Sequence, residues 1–207
     1  MSKIGIVGAS GQLGGHLITY ALAAGYSVHA LTRDPRRIRK ANEDLTVYKG
    51  DAEKGEGLVS FVTGCRYVVY AANAGQPAEA VAHLVRAIGL KRMDRLVLVS
   101  RVGTGDSELQ GRKVSGMLAS FLPRMRKGLY AHMNEAEDLL RISGLPYSIF
   151  RATELTDEGG GHEVAVARAN DAPPSRVGRA DLARFIIHSL EEPSWNLQEV
   201  TVGSKRH

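Results

Sequence analysis

The chain alternates short, nearly all-apolar runs with longer stretches in which apolar residues recur every three or four positions. The short runs are KIGIV (3–7), SVHAL (27–31), TVYK (46–49), YVVYA (67–71), RLVLVS (95–100) and YSIFR (147–151). They are rich in Val, Ile and Tyr. Runs with so little polar face suit strands buried on both sides of a parallel sheet. Between them, residues 12–24 place Leu13, Leu17, Tyr20, Ala21 and Ala24 at helical spacing, and Gly25 fits the stop. Residues 77–88 open on Pro77 and end before Gly89, where a helix tolerates proline and favours glycine. Residues 130–143 put Tyr130, Met133, Ala136 and Leu140 on one face, and Gly144 and Pro146 stop the helix. The alternation predicts βαβ units and a doubly wound α/β sheet.

After the sixth strand the pattern loosens. EVAVAR (163–168) reads as a short extended piece, ANDAPPSR (169–176) as a loop, GRADLARFIIHSLEE (178–192) as a helix and QEVTV (198–202) as a last strand. With 207 residues, 43% of them hydrophobic and 24% charged, the chain suits one globular domain with a real core. The expected organisation is a single domain over 1–207, with 152–207 forming a small C-terminal lobe.

The chemistry begins at GASGQLGG (8–15), which follows the first strand and opens the first helix. Gly8 permits a tight turn, Gly11 lets backbone approach a pyrophosphate, and Gly14 lets helix and sheet pack closely. The amides of Ser10, Gly11, Gln12 and Leu13 then lie by a helix N-terminus, where an anion is favoured. Strand, glycine loop, helix and second strand in this order predict a Rossmann-type dinucleotide site.

The second strand ends in LTRDPRR. Arg33 stands where a cofactor 2′-phosphate is met, with Arg36 and Arg37 close by. Asp34 is the carboxylate that an NAD site wants, but alternation points it away from Arg33. The reading favours NADP(H) over NAD(H). Asp51 and Ala52 follow the third strand, beside the adenine; Asp51 also suits an N-cap of the next helix. Ala71, Ala72 and Asn73 end the fourth strand and allow close approach to ribose or phosphate. Ser100 and Arg101 end the fifth strand on the nicotinamide side, where Ser100 is a candidate catalytic hydroxyl or an ordinary turn residue.

Together these pieces resemble an atypical short-chain dehydrogenase/reductase of the NmrA-like, NAD(P)H-binding kind that includes biliverdin reductase B and flavin reductase. The resemblance runs through GASGQLGG, LTRDPRR, the GD of KGDAEKG, VSRVGTGDS (99–107), EDLLRISGLPYSIFRATEL (137–155) and GRADLARFI (178–186), in family order over nearly the whole chain. The family usually has Arg-Pro after the sixth strand. Here Arg151-Ala152-Thr153 stands instead, followed by the glycine run GGGHE (159–163), so the substrate-side rim is expected to differ.

Typical short-chain dehydrogenases set Tyr-x-x-x-Lys on one helix face, where the lysine lowers the tyrosine pKa for proton exchange with a carbonyl or alcohol. Here Tyr130 is followed four residues later by Asn134, so the pair is broken. Tyr130 is left to stack on a ligand or to pack. Alcohol–ketone oxidoreduction and sugar epimerisation both lose their acid/base. Hydride transfer to a planar acceptor such as a flavin, quinone or linear tetrapyrrole does not, because solvent can supply the proton. His132 and His162 are polar groups that could reach such an acceptor. The alternative, implied by the NmrA-like resemblance, is an NADP(H)-sensing regulator whose occupancy changes a protein-binding surface; RMRK (124–127) is a candidate part of it.

Charge alters this little. The net +5 is partly concentrated in RDPRRIRK (33–40), KRMDR (91–95) and RMRK. No zinc spacing or RNA-recognition signature accompanies these clusters, so nucleic acid is not the expected partner. No apolar run approaches membrane-spanning length, and the N-terminus lacks a secretory pattern. One cysteine, Cys65, excludes an intrachain disulfide and suits a reducing cytoplasm. No oligomer seam is visible, and a monomer is expected.

Overall fold

The computed structural model describes residues 1–72, 75–89, 92–102, 104, 124–157, 160–168, 174 and 176–205, without the side chains of 124–130. Its strands are β1 (Lys3–Val7), β2 (Ser27–Thr32), β3 (Leu45–Lys49), β4 (Tyr67–Tyr70), β5 (Arg95–Arg101), β6 (Tyr147–Ala152), β7 (Leu155–Thr156), β8 (Val164–Ala167), β9 (Val177–Gly178) and β10 (Gln198–Ser204). Its helices are α1 (Gln12–Ala23), α2 (Leu58–Val62), α3 (Pro77–Ile88), α4 (Arg124–Ile142) and α5 (Arg179–Ser189).

Eight strands form one sheet in the order β3-β2-β1-β4-β5-β6-β10-β8. All pairs are parallel except β10 with the edge strand β8. The central strands are buried on both faces, as their apolar runs require: β4 is buried throughout and β5 up to its last residue. Helices α1 and α5 cover one face, with Leu13, Leu17, Ile186 and Phe150 in the core between. Helices α2, α3 and α4 cover the other, around Phe61, Leu84, Leu98 and Leu140. The short strands β7 and β9 pair with each other outside the main sheet.

Three elements differ from the sequence reading. Helix α4 begins at Arg124, six residues before the apolar periodicity shows it, because Arg, Met, Lys and Leu favour helix without marking a buried face. Asp51 does not cap a helix. Its Oδ1 accepts from the Glu53 amide at 3.0 Å and closes a turn bridged to Glu56. Helix α2 starts later, on Gly57 in the left-handed region at φ 74°. The last helix, α5, is Arg179–Ser189, shorter at both ends than 178–192, with Gly178 as its N-cap. Among the described residues no helix is long and apolar enough to cross a membrane.

Candidate functional site

The sheet's arrangement opens a crevice at the carboxyl ends of β1, β2 and β4, beside α1. The chain turns there on Gly8 at φ +81°. A Cβ on Gly8 would lie 2.8 Å from the Ala72 amide nitrogen, so β1 and the end of β4 touch through backbone alone. A Cβ on Gly14 would overlap the Gly8 carbonyl oxygen and lie 2.7 Å from Ala9 Cα. Only glycine lets α1 start this close to the strand.

Gly11 is the α1 N-cap in extended conformation, without a side-chain cap or an acidic residue in the first turn. Its own amide donates inward to the Gly8 carbonyl at 2.9 Å. That narrows the expected anion donors to Ser10 and the first-turn amides of Gln12 and Leu13. The loop thus has the shape and the free polarity that a dinucleotide pyrophosphate needs.

An open cleft of about 90 Å³ adjoins the loop. Gly8, Ser10, Arg33, Asp51, Ala52 and Ala72, all singled out by sequence, line it. Thr32, Glu53 and Tyr70 line it too, and sequence reasoning missed them. Burial raises the Tyr70 hydroxyl well above its usual pKa, and the nearby Glu53 and Asp51 carboxylates add to that, so the phenol stays protonated. Gly11, Gln12 and Leu13 flank the cleft along α1, and Ala71 is buried with its amide on the Val7 carbonyl at 3.0 Å. Asn73 lies outside the described residues.

At the end of β2, Asp34 and Arg33 part company. Asp34 is bound by Arg36 through two contacts, Nε to Oδ1 at 2.9 Å and Nη2 to Oδ2 at 3.2 Å. It also caps the 3-10 turn Pro35–Arg37 by accepting from the Arg36 amide. The Arg36 guanidinium holds the Asp34 carboxyl below its usual range. Arg33 is exposed on the cleft wall.

Ser100 and Arg101 end β5, two strands from β1. Ser100 is 1% exposed and donates its hydroxyl to Glu137 Oε1 at 2.6 Å. Thr104 lies 2.9 Å from Ser100 and 2.7 Å from the same carboxylate oxygen. Glu137, on α4, is fully buried. Arg151 of β6 meets it at 2.7 Å, and Arg141 at 3.1 Å. Both arginines continue to Glu199 of β10, at 2.7 and 2.6 Å. This network pins α4 to β5, β6 and β10. Sequence reasoning missed it, although an arginine ending the apolar run YSIFR was a sign that a buried partner had to exist.

Burial pushes the Glu199 carboxyl up, but hydrogen bonds from Arg141 and Arg151 and their charges outweigh it and hold the group at about 2, against an ordinary 4.5. A carboxyl lowered by folding stabilises the fold above its unfolded pKa and loses that contribution as pH falls to its folded one. The Glu199 contribution to urea unfolding is therefore expected to be constant above about pH 5. Between about pH 4.5 and 2 it should fall by an amount on the order of 2–3 kcal/mol, and Glu199→Gln should flatten that acid limb.

On α4, Asn134 occupies the position four residues after Tyr130, and the Tyr130 side chain lies outside the described residues. His132 Nδ1 is 3.9 Å from Glu135, and His162 Nδ1 is 3.5 Å from the buried Asp181. RMRK lies on α4 with its side chains outside the described residues.

Comparison with known proteins places this geometry. A Bacillus subtilis protein named as an uncharacterized sugar epimerase is 22% identical over 209 residues, covering 92% of this chain and 88% of its own. The structure of the anaerobilin reductase ChuY of Escherichia coli O157:H7 matches with a TM-score of 0.83 at 22% identity, over 98% of this chain and 97% of that one. A short-chain dehydrogenase/reductase from Veillonella parvula, solved in complex with NADP, matches with a TM-score of 0.79 at 23% identity, over 98% and 94%. The family model described as NAD(P)H-binding matches residues 8–193, from the first glycine of the loop to beyond α5. The chain belongs to this NAD(P)H-binding family.

Proposed function

We propose that the protein is an NADPH-dependent reductase of a planar, electron-poor acceptor such as a flavin, a quinone or a linear tetrapyrrole. The observation that carries this reading is the cleft at the sheet's carboxyl ends, with Arg33 on its wall and Asp34 bound to Arg36. What supports an Arg33 contact to a 2′-phosphate is that it is exposed on this wall and carries a planar fork that matches phosphate oxygens. Asp34, turned to Arg36, is engaged away from a ribose hydroxyl. Arg33→Ala is expected to weaken NADPH binding about tenfold, as loss of a charge-assisted hydrogen bond does, and to leave NADH unchanged. Equal loss for both cofactors in a fluorescence titration would contradict the preference.

Bound NADPH supplies the hydride. The protein's part is to hold the cofactor and orient the acceptor. Ser100 directs its one hydroxyl hydrogen at Glu137, so it is not offered to a substrate. With Asn134 in place of the lysine, the proton that completes reduction comes from solvent. This suits a conjugated acceptor and not a simple ketone. It also tells against epimerisation, which the Bacillus relative's name suggests. The anaerobilin reductase among the structural neighbours, a tetrapyrrole reductase, fits the acceptor class.

The test is NADPH oxidation followed at 340 nm with FMN, menadione and biliverdin as acceptors. Turnover with at least one supports the reductase. The broken Tyr-x-x-x-Lys pair also favours a second reading, an NADP(H) sensor without catalysis. Tight NADPH binding with no turnover on any acceptor would move the assignment there, and a partner whose affinity differs between loaded and empty protein would establish it.

A further inference from the structure

In the pairing of β7 with β9, Thr156 stands opposite Gly178. The next residues, Asp157 and Arg179, therefore leave the two strands side by side. Arg179 Nη1 lies 2.6 Å from Asp157 Oδ1. On its other side Asp157 Oδ2 is 3.5 Å from Gln12 Nε2. Gln12 is the first residue of α1, directly after the Gly11 cap. An Asp–Arg pair from the C-terminal lobe thus sits against the helix end where the glycine loop offers its free amides.

The two members are held differently. The Arg179 side chain is 17% exposed and Asp157 is 66% exposed, so the cation is the more buried member and the anion lies on the outside. Nearby, the buried Asp181 is matched at one carboxylate oxygen only, its Oδ2 having no hydrogen-bond partner among the described residues. Asp181 accepts from the Gly161 amide at 2.7 Å and from Arg184 at 3.2 Å.

We propose that Arg179 binds the diphosphate of the dinucleotide, and that Asp157 is the counter-ion it exchanges for that diphosphate. The inference rests on the dinucleotide reading of the cleft. Asp157 reaches α1 through the side chain of its first residue, Gln12, and the positive end of that helix favours an anion. A single carboxylate in a largely exposed pair is weakly held. A diphosphate brings more negative charge, and its oxygens match the guanidinium fork in the same way. Once it is bound, Asp157 is a like charge beside it and swings out.

The two substitutions have opposite signs. In calorimetric titrations, Arg179→Ala is expected to raise the Kd for NADPH about tenfold, as loss of a charge-assisted contact does. Asp157→Asn is expected to lower it about threefold by removing a competing anion. Adenosine 2′-monophosphate, which keeps the adenosine and 2′-phosphate but has no diphosphate, should bind both variants as it binds wild type. That ligand also reports on folding, since a misfolded variant would lose it too. An unchanged NADPH affinity in Arg179→Ala, a parallel loss for the monophosphate, or weaker NADPH binding in Asp157→Asn overturns the proposal. If wild type itself bound no NADPH, the dinucleotide reading would fall first.

Discussion

Glu137→Ala should lower the unfolding free energy by about 3–5 kcal/mol, the range found when one member of a buried ion pair is removed. The carboxylate is fully buried and is met by Arg151, Arg141, Ser100 and Thr104. Without it, Arg151, itself 3% exposed, keeps only Glu199 as a carboxylate partner among the described residues. The Ser100 and Thr104 hydroxyls lose this acceptor too, but each keeps another, Thr104 for Ser100 and the Arg101 carbonyl for Thr104, so the cost falls on the arginine. The double replacement Glu137→Leu with Arg151→Met removes both charges together, so it should lie much closer to wild type than the single change. Arg141 and Glu199 can still pair in it. Urea unfolding followed by circular dichroism measures all three proteins. A single-variant loss below about 1 kcal/mol would show that the network is not the desolvated pair described above. The exposed Asp34–Arg36 pair is the internal contrast, because breaking it should hardly register.

Gly14→Ala is expected to be the most damaging single methyl in the cofactor loop. The added Cβ meets backbone only: it overlaps the Gly8 carbonyl oxygen and lies 2.7 and 2.8 Å from Ala9 Cα and C. Backbone cannot rotate out of the way as a side chain can. Helix α1 must move off β1, at a stability cost of about 1–3 kcal/mol for overpacking. The first-turn amides move with it, so NADPH affinity should fall at least about tenfold. Gly15→Ala is the control one residue along, where an added Cβ meets nothing within 4 Å. Equal NADPH affinity in both variants would contradict this view of the loop.

The sheet was legible because its central strands are apolar throughout, a pattern with few other uses in a chain this short. The glycine loop was legible because its glycines lie between a strand and a helix. Arg33, Asp51 and Ala72 could be placed because each ends or follows a parallel strand, and such ends converge on one crevice. What stayed hidden depends on pairs far apart in sequence. Glu137 and Glu199 carried no signal, since nothing local marks a charge as buried. Asp51, placed beside the adenine, also suited a helix N-cap because a turn and a helix start use the same aspartate geometry. Tyr70 and Glu53 went unmarked, because only the fold brings them to one wall. Ser100 was located by its strand, but its hydroxyl direction was set by a helix residue 37 positions away.

Strand β10 follows every other strand in the sequence, yet it lies inside the sheet, between β6 and β8. During synthesis from the N-terminus, β6 therefore stays an open edge until residues 198–204 are made. Until then Arg151 also lacks Glu199. The nascent protein passes through a stage with an unpaired hydrophobic strand and a half-neutralised buried cation, the kind of intermediate that chaperones recognise. Among the described strands the one that covers the β6 edge is thus the latest in the sequence, so closure of this sheet is a long-range event.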